Sequence, residues 1–433
     1  MKIAFFTSLI EETLSKKFSD AILPYLKTNF EIDIFCDEFK TYQDFNTQHY
    51  LQAIKCHKQK NYDLFIYQLE NTESAKFLRI ANTLVPGITI FHNFNFLSFG
   101  PEPILNSPWS EITKKFIEND KNLNNFPVRG KKFFQTGPQG IREATYSLIP
   151  IFVNPLNVSD FKNSLIDSIS KKYKIEPKYL AFPVKDNNEK LKSPQKDKTQ
   201  ELNIAFAGSP NIENRSHKIL TSLNSIQNDF KITWLINKNE KAKAQELLEE
   251  FNIKNYNLVL DRSTDKWQEV LSTADFAIHT QFSVFAQNYP YLQLSMMLGV
   301  PVIVSDFGYA DSLPNDLVFK LPVGESESLV LKELLLNLKT KDLTELKNKT
   351  KSFAEENFSA QVVASELKEI IIYNKEKIAV FYQDWQAFTG LAKTALIQEL
   401  KEDFDAELIS MNNKQFSWQN ILEKEYKDLG WLS

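Results

Sequence analysis

Short apolar segments alternate with longer amphipathic ones along this chain, and the alternation runs twice, with a polar stretch between the two runs. Alternation of this kind is typical of βαβ units that build a parallel sheet covered by helices. The polar stretch, residues 184–201, is too hydrophilic to bury a core, and we interpret it as a linker. Because 433 residues also exceed the usual size of one domain, the pattern predicts an α/β protein with two Rossmann-like domains.

Ten short segments rich in β-branched or aromatic residues are predicted to be strands. They are residues 2–8, 30–35, 62–67, 88–92 and 150–154 in the first run, and 202–207, 231–236, 256–260, 274–280 and 300–305 in the second. We expect an N-terminal domain over 1–183, a C-terminal domain over 202–375 and a helical segment over 376–433. Between the fourth and fifth strands, residues 99–140 carry Pro and Gly clusters that indicate a loop region suited to binding.

Charge, cysteine and histidine content exclude several classes of protein. The 51 basic and 55 acidic residues give a net charge of -4, so there is no broad positive field for nucleic acid. Cys36 and Cys56 do not have the spacing of a disulfide framework, and no histidine has metal-ligand spacing. No segment approaches the roughly 18–20 apolar residues that span a bilayer. We therefore expect a cytoplasmic protein without a metal site, with at most peripheral membrane contact.

A loop that suits a phosphate group follows the first strand of the second domain. Gly208 permits close approach of a ligand to the backbone, and Asn214, Arg215 and Lys218 stand at the predicted opening of a helix. Free N–H groups at a helix N-terminus and charged side chains commonly bind phosphate together. The alternative is an ordinary strand-to-helix loop with solvated basic residues. Its predicted position, at the carboxyl end of a strand in a parallel sheet, favours ligand binding.

The most informative stretch covers residues 274–306 and reads ADFAIHTQFSVFAQNYPYLQLSMMLGVPVIVSD. An Ala-Asp pair precedes a short apolar strand, a long loop and a helix, and Gly-x-Pro-Val-Ile-Val-Ser-Asp follows. This pattern, with the FGYADSLPNDLVFKLPVGESES that comes next, resembles the donor-binding half of family 4 glycosyltransferases of the GT-B fold. The resemblance is good over about 202–338 and weaker over 1–183. It implies two Rossmann-like domains facing a cleft, with residues 376–433 packing back on the N-terminal domain.

The resemblance also implies a function and a set of site residues. Such an enzyme moves a sugar from a nucleotide diphosphate-sugar to a glycan or lipid-linked acceptor, usually with retention at the anomeric carbon and without a metal. The nucleotide sugar is a co-substrate, no cofactor is expected, and a lipid-linked acceptor would bring the protein to the inner membrane surface. The residues implied for the donor diphosphate are Gly208, Asn214, Arg215, Lys218 and Lys238. Those implied for the donor sugar or ribose are Gln287, Asn288 and Tyr289.

The carboxylates that family members keep beside the donor are not retained. Where relatives have a Glu in the loop before the Gly-x-Pro-Val helix, this chain has residues 285–289, FAQNY, and the second Glu falls near Leu294. Gln287 can hydrogen-bond a hydroxyl group but carries no negative charge.

His92 and Asn93 end the fourth strand where related enzymes have His-Asp near the acceptor, and the resemblance implies that they are catalytic. A histidine in that position can orient a hydroxyl group or relay a proton near neutral pH. The alternative is a packed histidine that ends a strand with its second nitrogen bonded to the backbone.

A second hypothesis is a catalytically degenerate GT-B protein that acts as a binding or scaffold partner in glycan assembly. The residues at Gln287 and Asn93 favour it, because each stands where relatives have a carboxylate. Retention of Arg215 after the Gly208 loop favours the enzyme, since a scaffold does not need a phosphate site. A dehydrogenase-like pair of Rossmann domains is disfavoured, because no Gly-x-Gly-x-x-Gly follows the first strand.

Overall fold

The computed structural model describes residues 1–38, 40–72, 75–94, 140–163, 168–185, 201–212, 214–226, 229–281 and 290–384. The chain forms two compact units. The first comprises Met1–Val153, Asn157–Leu180 and Ala364–Ser433, and the second comprises Asn154–Leu156 and Ala181–Val363. Most of the predicted linker and of the 376–433 segment lies outside the described residues, and the domain boundaries drawn from the sequence stay a prediction.

The first unit is built on a parallel sheet with helices in the connections. Its strands are β1 (Lys2–Phe6), β2 (Glu31–Cys36), β3 (Asn46–His49), β4 (Leu64–Leu69), β5 (Ile88–Phe91), β6 (Ile149–Phe152) and β7 (Lys178–Tyr179). Its helices are α1 (Leu14–Leu26), α2 (Ala53–Lys60), α3 (Lys76–Leu84), α4 (Ile141–Tyr146), α5 (Pro155–Asn163) and α6 (Ile169–Lys172), with a 3-10 turn over Tyr50–Gln52. Among the described residues the strand order is β3-β2-β1-β4-β5-β6-β7.

The core of the first unit is rich in aromatic side chains. All six residues of β4 are buried, as expected for a strand of a parallel sheet that is covered on both faces. Phe6 stacks on Phe35 with ring centroids 5.0 Å apart. Near the end of the described chain, the Tyr382 hydroxyl donates to the carbonyl of Pro86 at 3.0 Å and accepts from the backbone N–H of Phe65 at 3.2 Å. Tyr382 therefore ties the last described residues to this core.

The second unit repeats the architecture. Its strands are β8 (Leu202–Ala207), β9 (Phe230–Leu235), β10 (Tyr256–Val259), β11 (Phe276–His279), β12 (Val302–Ser305) and β13 (Phe319–Leu321). Its helices are α7 (Ser216–Asn224), α8 (Lys241–Glu250), α9 (Thr264–Leu271), α10 (Pro290–Met297), α11 (Glu327–Leu338) and α12 (Thr344–Phe358), with 3-10 turns over Lys238–Glu240 and Gly308–Ser312. Helix α13 (Ala360–Tyr373) begins in this unit and continues in the first. The described strands pair in parallel in the order β10-β9-β8-β11-β12-β13.

All ten predicted strands are present, each with both ends within two residues of the prediction, and the predicted α/β class is confirmed. The structure adds β3, β7 and β13. Strand β11 starts two residues later than predicted because Asp275 lies before it, where its carboxylate accepts the backbone N–H of Asn203 at 2.7 Å. Within the described part of the chain, no helix is both long and apolar enough to cross a membrane.

The strand orders mark one position in each sheet where ligands of such folds usually bind. In the first sheet, β1 lies between β2 on one side and β4 on the other. In the second sheet, β8 lies in the same way between β9 and β11. In open parallel sheets this switch point opens a crevice at the carboxyl ends of the strands. The loops after β1, β4 and β5 in the first unit, and after β8 and β11 in the second, are therefore where a site is expected.

Candidate functional site

The loop that follows β8 is compact and held from several sides. The indole N–H of Trp234 donates to the carbonyl of Gly208 at 2.8 Å. A Cβ atom at Gly208 would lie 2.9 Å from Oδ1 and 3.1 Å from Cβ of Asn214, so this position favours a glycine. The backbone and side-chain N–H groups of Asn214 both donate to Oδ1 of Asn211 at 2.9 Å. Gly208 and Asn214, 6 positions apart in sequence, are thus brought into contact.

The same loop is joined to the end of β11, across the switch point of the sheet. The hydroxyl of Thr280, the residue after β11, donates to the carbonyl of Asn214 at 3.1 Å, and both residues are buried. Helix α7 then begins at Ser216, and the side chain of its N-cap residue, Arg215, does not hydrogen-bond to its first N–H groups. An uncapped helix N-terminus beside a glycine loop has the donors and the dipole orientation that favour an anion.

Arg215 immediately precedes α7 and has an unusual backbone conformation and a buried partner. Its φ of 52° lies in the left-handed region, and its side chain forms an ion pair with Glu327, the first residue of α11. Nε donates to Oε1 at 2.7 Å and Nη2 donates to Oε2. Arg215 is 9% exposed and Glu327 is 1% exposed. The structure thus pairs the guanidinium with a carboxylate inside the protein, and binding of a diphosphate by Arg215 stays a prediction.

The two predicted lysines differ in setting. Lys218 lies half-buried in the first turn of α7, and its carbonyl accepts the hydroxyl groups of Ser222 and Ser328. Lys238 is exposed in the 3-10 turn after β9. The structure therefore brings Gly208, Asn214 and Arg215 into one loop, with Lys218 beside it and Lys238 on a neighbouring connection.

The residues predicted to contact the donor sugar or ribose, Gln287, Asn288 and Tyr289, lie outside the described residues. The helix that follows them is described. Leu294, near which the second family carboxylate falls, is 4% exposed in α10. Its neighbour Gln293 is fully buried and donates to the hydroxyl of Tyr309 at 3.1 Å. An apolar side chain at Leu294 fits this interior, where an unpaired carboxylate would be costly.

Arg262 belongs to the same edge of the sheet and was not predicted from the sequence. It follows β10 and is half-buried, and its Nη1 donates to the Ser209 hydroxyl at 3.1 Å. Its backbone carbonyl accepts the hydroxyl of Tyr291 at the start of α10. A usable signal existed in composition, because only 5 of the 51 basic residues are arginines. In so lysine-rich a chain, each arginine is a stronger indication of a geometric requirement.

In the first unit, the predicted catalytic residue His92 lies in a buried polar network just after β5. Nε2 of the Gln68 amide donates to the hydroxyls of Thr7 and Ser19, at 3.0 and 2.6 Å. The amide oxygen of Gln68 therefore accepts from Nε2 of His92, at 2.8 Å. His92 is 1% exposed, and burial lowers its pKa to about 3. At neutral pH the imidazole is therefore uncharged, and the catalytic role expected of His92 stays a prediction.

Asn93 and Glu70, near His92, accept hydrogen bonds from backbone N–H groups. Oδ1 of Asn93 accepts the backbone N–H of Asn71 at 3.0 Å. Glu70, just after β4, is 2% exposed and accepts the backbone N–H groups of Leu14 and Ser15, at 2.7 and 3.3 Å, where α1 begins. Burial raises the pKa of Glu70 and these hydrogen bonds oppose the rise. A carboxylate of the protein itself therefore occupies the helix N-terminus at the switch point of the first sheet.

Metal ligands do not gather in the part of the chain that the structure describes. There, no group of three or more His, Cys, Asp and Glu side chains is arranged to hold a metal ion.

Several solved structures share this fold over most of the chain. HepE (Alr3699) of Anabaena, in complex with UDP-glucose, is 12% identical with a TM-score of 0.58, and the match covers 86% of this chain and 100% of that one. A glycosyltransferase from Rickettsia africae is 12% identical with a TM-score of 0.58, covering 87% and 98%. WaaG, a glycosyltransferase involved in lipopolysaccharide biosynthesis, is 14% identical with a TM-score of 0.54, covering 85% and 99%. No protein-family model and no curated protein matches the sequence. At such identities the likeness shows the fold.

Proposed function

We propose that this chain, whose fold is the GT-B fold of glycosyltransferases, transfers a sugar from a nucleotide diphosphate-sugar to a glycan or lipid-linked acceptor. The donor diphosphate binds at the loop after β8, and the reaction proceeds with retention and without a metal. The nucleotide sugar is a co-substrate, and no cofactor takes part.

The observation that carries this proposal is the Gly208 loop at the switch point of the second sheet. Gly208 and Asn214 are in contact, Thr280 joins the loop to β11, and the uncapped α7 points its N–H groups toward the same end. Such donors suit a diphosphate, on which negative charge develops as the sugar leaves. The complex of HepE with UDP-glucose supports the choice of ligand class.

The remaining predicted residues take the roles that the resemblance to family 4 glycosyltransferases implies. Gln287, Asn288 and Tyr289 contact the sugar or ribose, with Gln287 donating to hydroxyl groups without adding charge. His92 and Asn93 lie toward the acceptor side, where a neutral His92 orients a hydroxyl group by hydrogen bonding. The protein works in the cytoplasm and reaches a lipid-linked acceptor by peripheral contact with the inner membrane surface.

One observation favours a second function, that of a catalytically degenerate GT-B protein that binds a partner in glycan assembly. Glu327 forms a buried ion pair with Arg215, one of the residues expected to bind the donor diphosphate. The family carboxylates are also absent, so the groups that this site keeps for a donor are backbone N–H groups more than charged side chains. A protein of this kind would bind a nucleotide sugar weakly and would not turn it over.

The test is calorimetric titration of the full chain with UDP, GDP and their sugar conjugates, followed by assay of sugar transfer. Binding in the micromolar range is expected for one nucleotide. A Gly208→Ala variant should weaken it at least tenfold, because the new Cβ displaces Asn214. Adding Asn214→Gly removes the overlap and should return part of the affinity, which separates a local effect from misfolding.

Each outcome decides between the hypotheses. A folded wild-type protein that binds no nucleotide up to millimolar concentration refutes the transferase. Nucleotide binding without transfer to any glycan or lipid-linked acceptor, and without slow hydrolysis of the donor, favours the degenerate protein. Transfer with an unchanged rate in the presence of a chelator supports metal-independent chemistry.

A further inference from the structure

Arg262 is held in place at both of its ends. Its backbone carbonyl accepts the Tyr291 hydroxyl, and its Nη1 donates to the hydroxyl of Ser209, next to Gly208. Strand β10, which Arg262 follows, lies two strands away from β8. Its side-chain hydrogen bond therefore joins two connections at the carboxyl edge of the sheet. An arginine held in this way has lost part of its rotamer freedom before any ligand arrives.

Part of the guanidinium lacks a partner among the described residues. The Tyr291 hydroxyl interacts with the side chain of Arg262, but Nε of Arg262 is buried without a hydrogen-bond acceptor there. With Nη1 on Ser209, Nε and the edge of the fork to which it belongs remain for another partner. A buried cationic donor without an acceptor is costly, and native proteins rarely leave one unmatched.

Arg215 presents the opposite case. Its Nε and Nη2 edge is the one that Glu327 occupies, so the bidentate geometry suited to a phosphate is already satisfied inside the protein. Lys238 is exposed on the next connection and offers a point charge without a fork. Of the described cations near the Gly208 loop, Arg262 is the one with both a fixed position and an unsatisfied edge.

We infer that Arg262, oriented by Ser209, is the residue that binds the diphosphate of the donor through its Nε and Nη2 edge, while Arg215 stabilises the loop through Glu327. This inference rests on the proposed function and deepens it, since it reassigns the charge of the donor site. The ligand is a nucleoside diphosphate. Two of its phosphate oxygens accept parallel hydrogen bonds from the two N–H groups of this edge.

The experiment compares binding of UDP with binding of uridine to the full-length wild type and to Arg262→Met. Loss of a bidentate charge-assisted contact, about 1.5–3 kcal/mol, corresponds to a tenfold to roughly hundredfold weaker affinity for UDP. Affinity for uridine should change less than twofold, because uridine has no phosphate. Arg262→Lys should fall between the two, since it returns the charge without the fork. If GDP proves to be the preferred nucleotide, GDP and guanosine replace the uridine pair.

Two controls separate binding from structure. Lys266→Met removes an equal charge from the next helix, where Lys266 is paired with Glu269, and should leave UDP affinity within twofold. Arg262→Met should keep or raise the urea midpoint of the protein, because it removes an unmatched buried donor. A merely structural arginine would lower that midpoint instead.

The outcomes are distinct. Wild-type protein that binds UDP, with Arg262→Met binding it as tightly, overturns the inference and leaves the proposed function standing. Equal losses for UDP and uridine also overturn it, because they indicate a general disturbance of the site. Wild-type protein that binds neither UDP nor GDP overturns the proposed function and the inference together.

Discussion

The buried pair between Arg215 and Glu327 makes a quantitative prediction about the stability of the second unit. Replacing Arg215 by Met leaves the carboxylate of Glu327, 1% exposed, without its partner. Breaking a buried ion pair from one side costs about 3–5 kcal/mol. Glu327 is the first residue of α11, and a helix N-terminus stabilises an anion by about 0.3–1 kcal/mol, so the lower part of that range is expected.

A double-mutant cycle isolates the pair. The variants are Arg215→Met, Glu327→Met and the combination of both. Met keeps a Cβ at position 215, so the cost of the left-handed backbone there stays the same throughout the cycle. Each single variant should lower the free energy of unfolding by about 3 kcal/mol. The double variant should lose much less than the sum, because an apolar pair replaces a buried ion pair at little net cost.

The assay is equilibrium urea unfolding followed by hydrogen exchange and mass spectrometry of peptides from β8 and β9, which reads the second unit separately from the first. Lys349→Met is the matched control. It breaks the solvent-exposed pair with Glu345, where both side chains are more than half exposed, and should leave the transition unchanged. Single-variant losses below about 1 kcal/mol, or losses that simply add in the double variant, would refute the buried pair.

Three further predictions concern the first unit. Burial lowers the pKa of His92 from its ordinary value near 6.5 to about 3, so between those pH values the unfolded chain binds a proton that the folded chain excludes. Stability is therefore retained above pH 6.5 and lost as the pH falls toward 3. The His92→Gln variant should show a smaller drop in urea midpoint between pH 7 and pH 5 than the wild type, and an equal drop would contradict the argument. Burial also raises the pKa of the Cys36 thiol to about 11. At pH 8 an aromatic disulfide reagent should therefore react with the half-buried Cys56 before Cys36. The Cys56→Ser variant should lose the faster phase of this labelling reaction. Glu70→Gln removes the carboxylate that accepts the first N–H groups of α1 and should lower the free energy of unfolding by about 1–3 kcal/mol in a denaturant titration, well beyond the effect of the same change at the exposed Glu11.

Most of the strands that sequence patterns predicted are those that the sheets bury, and the exception is the edge strand β10, which has no buried residue. Strands β4 and β11 are buried at every position, and their apolar runs stand out from the surrounding chain. Strand β3 reads Asn-Thr-Gln-His, is partly exposed and lies at the edge of its sheet, so it has no apolar signal to detect. Pairing with β2, a tertiary effect, makes it a strand.

At the site, sequence reasoning identified local geometry better than the partners of charged groups. The glycine at 208 and the helix opening at 216 are local features, and both are found. The partner of Arg215 stands 112 residues further along the chain, and that of Arg262 stands 53 residues earlier. Such pairs are fixed by strand order, which a single sequence does not display. The same holds for His92, whose neutrality depends on burial beside Gln68.

Glu70 has a consequence for how the two halves of the protein respond to ligand. Its carboxylate already accepts the first N–H groups of α1, so this helix N-terminus does not need a bound anion. At α7, the helix that opens the second unit's site, the side chain of the N-cap residue Arg215 does not take this role. By mass action, a ligand adds free energy only to the state that binds it, in proportion to the logarithm of its concentration above Kd. Rising concentrations of a donor nucleotide should therefore raise the unfolding temperature of the second unit and leave the first nearly constant, so that each molecule carries its own internal reference for ligand occupancy.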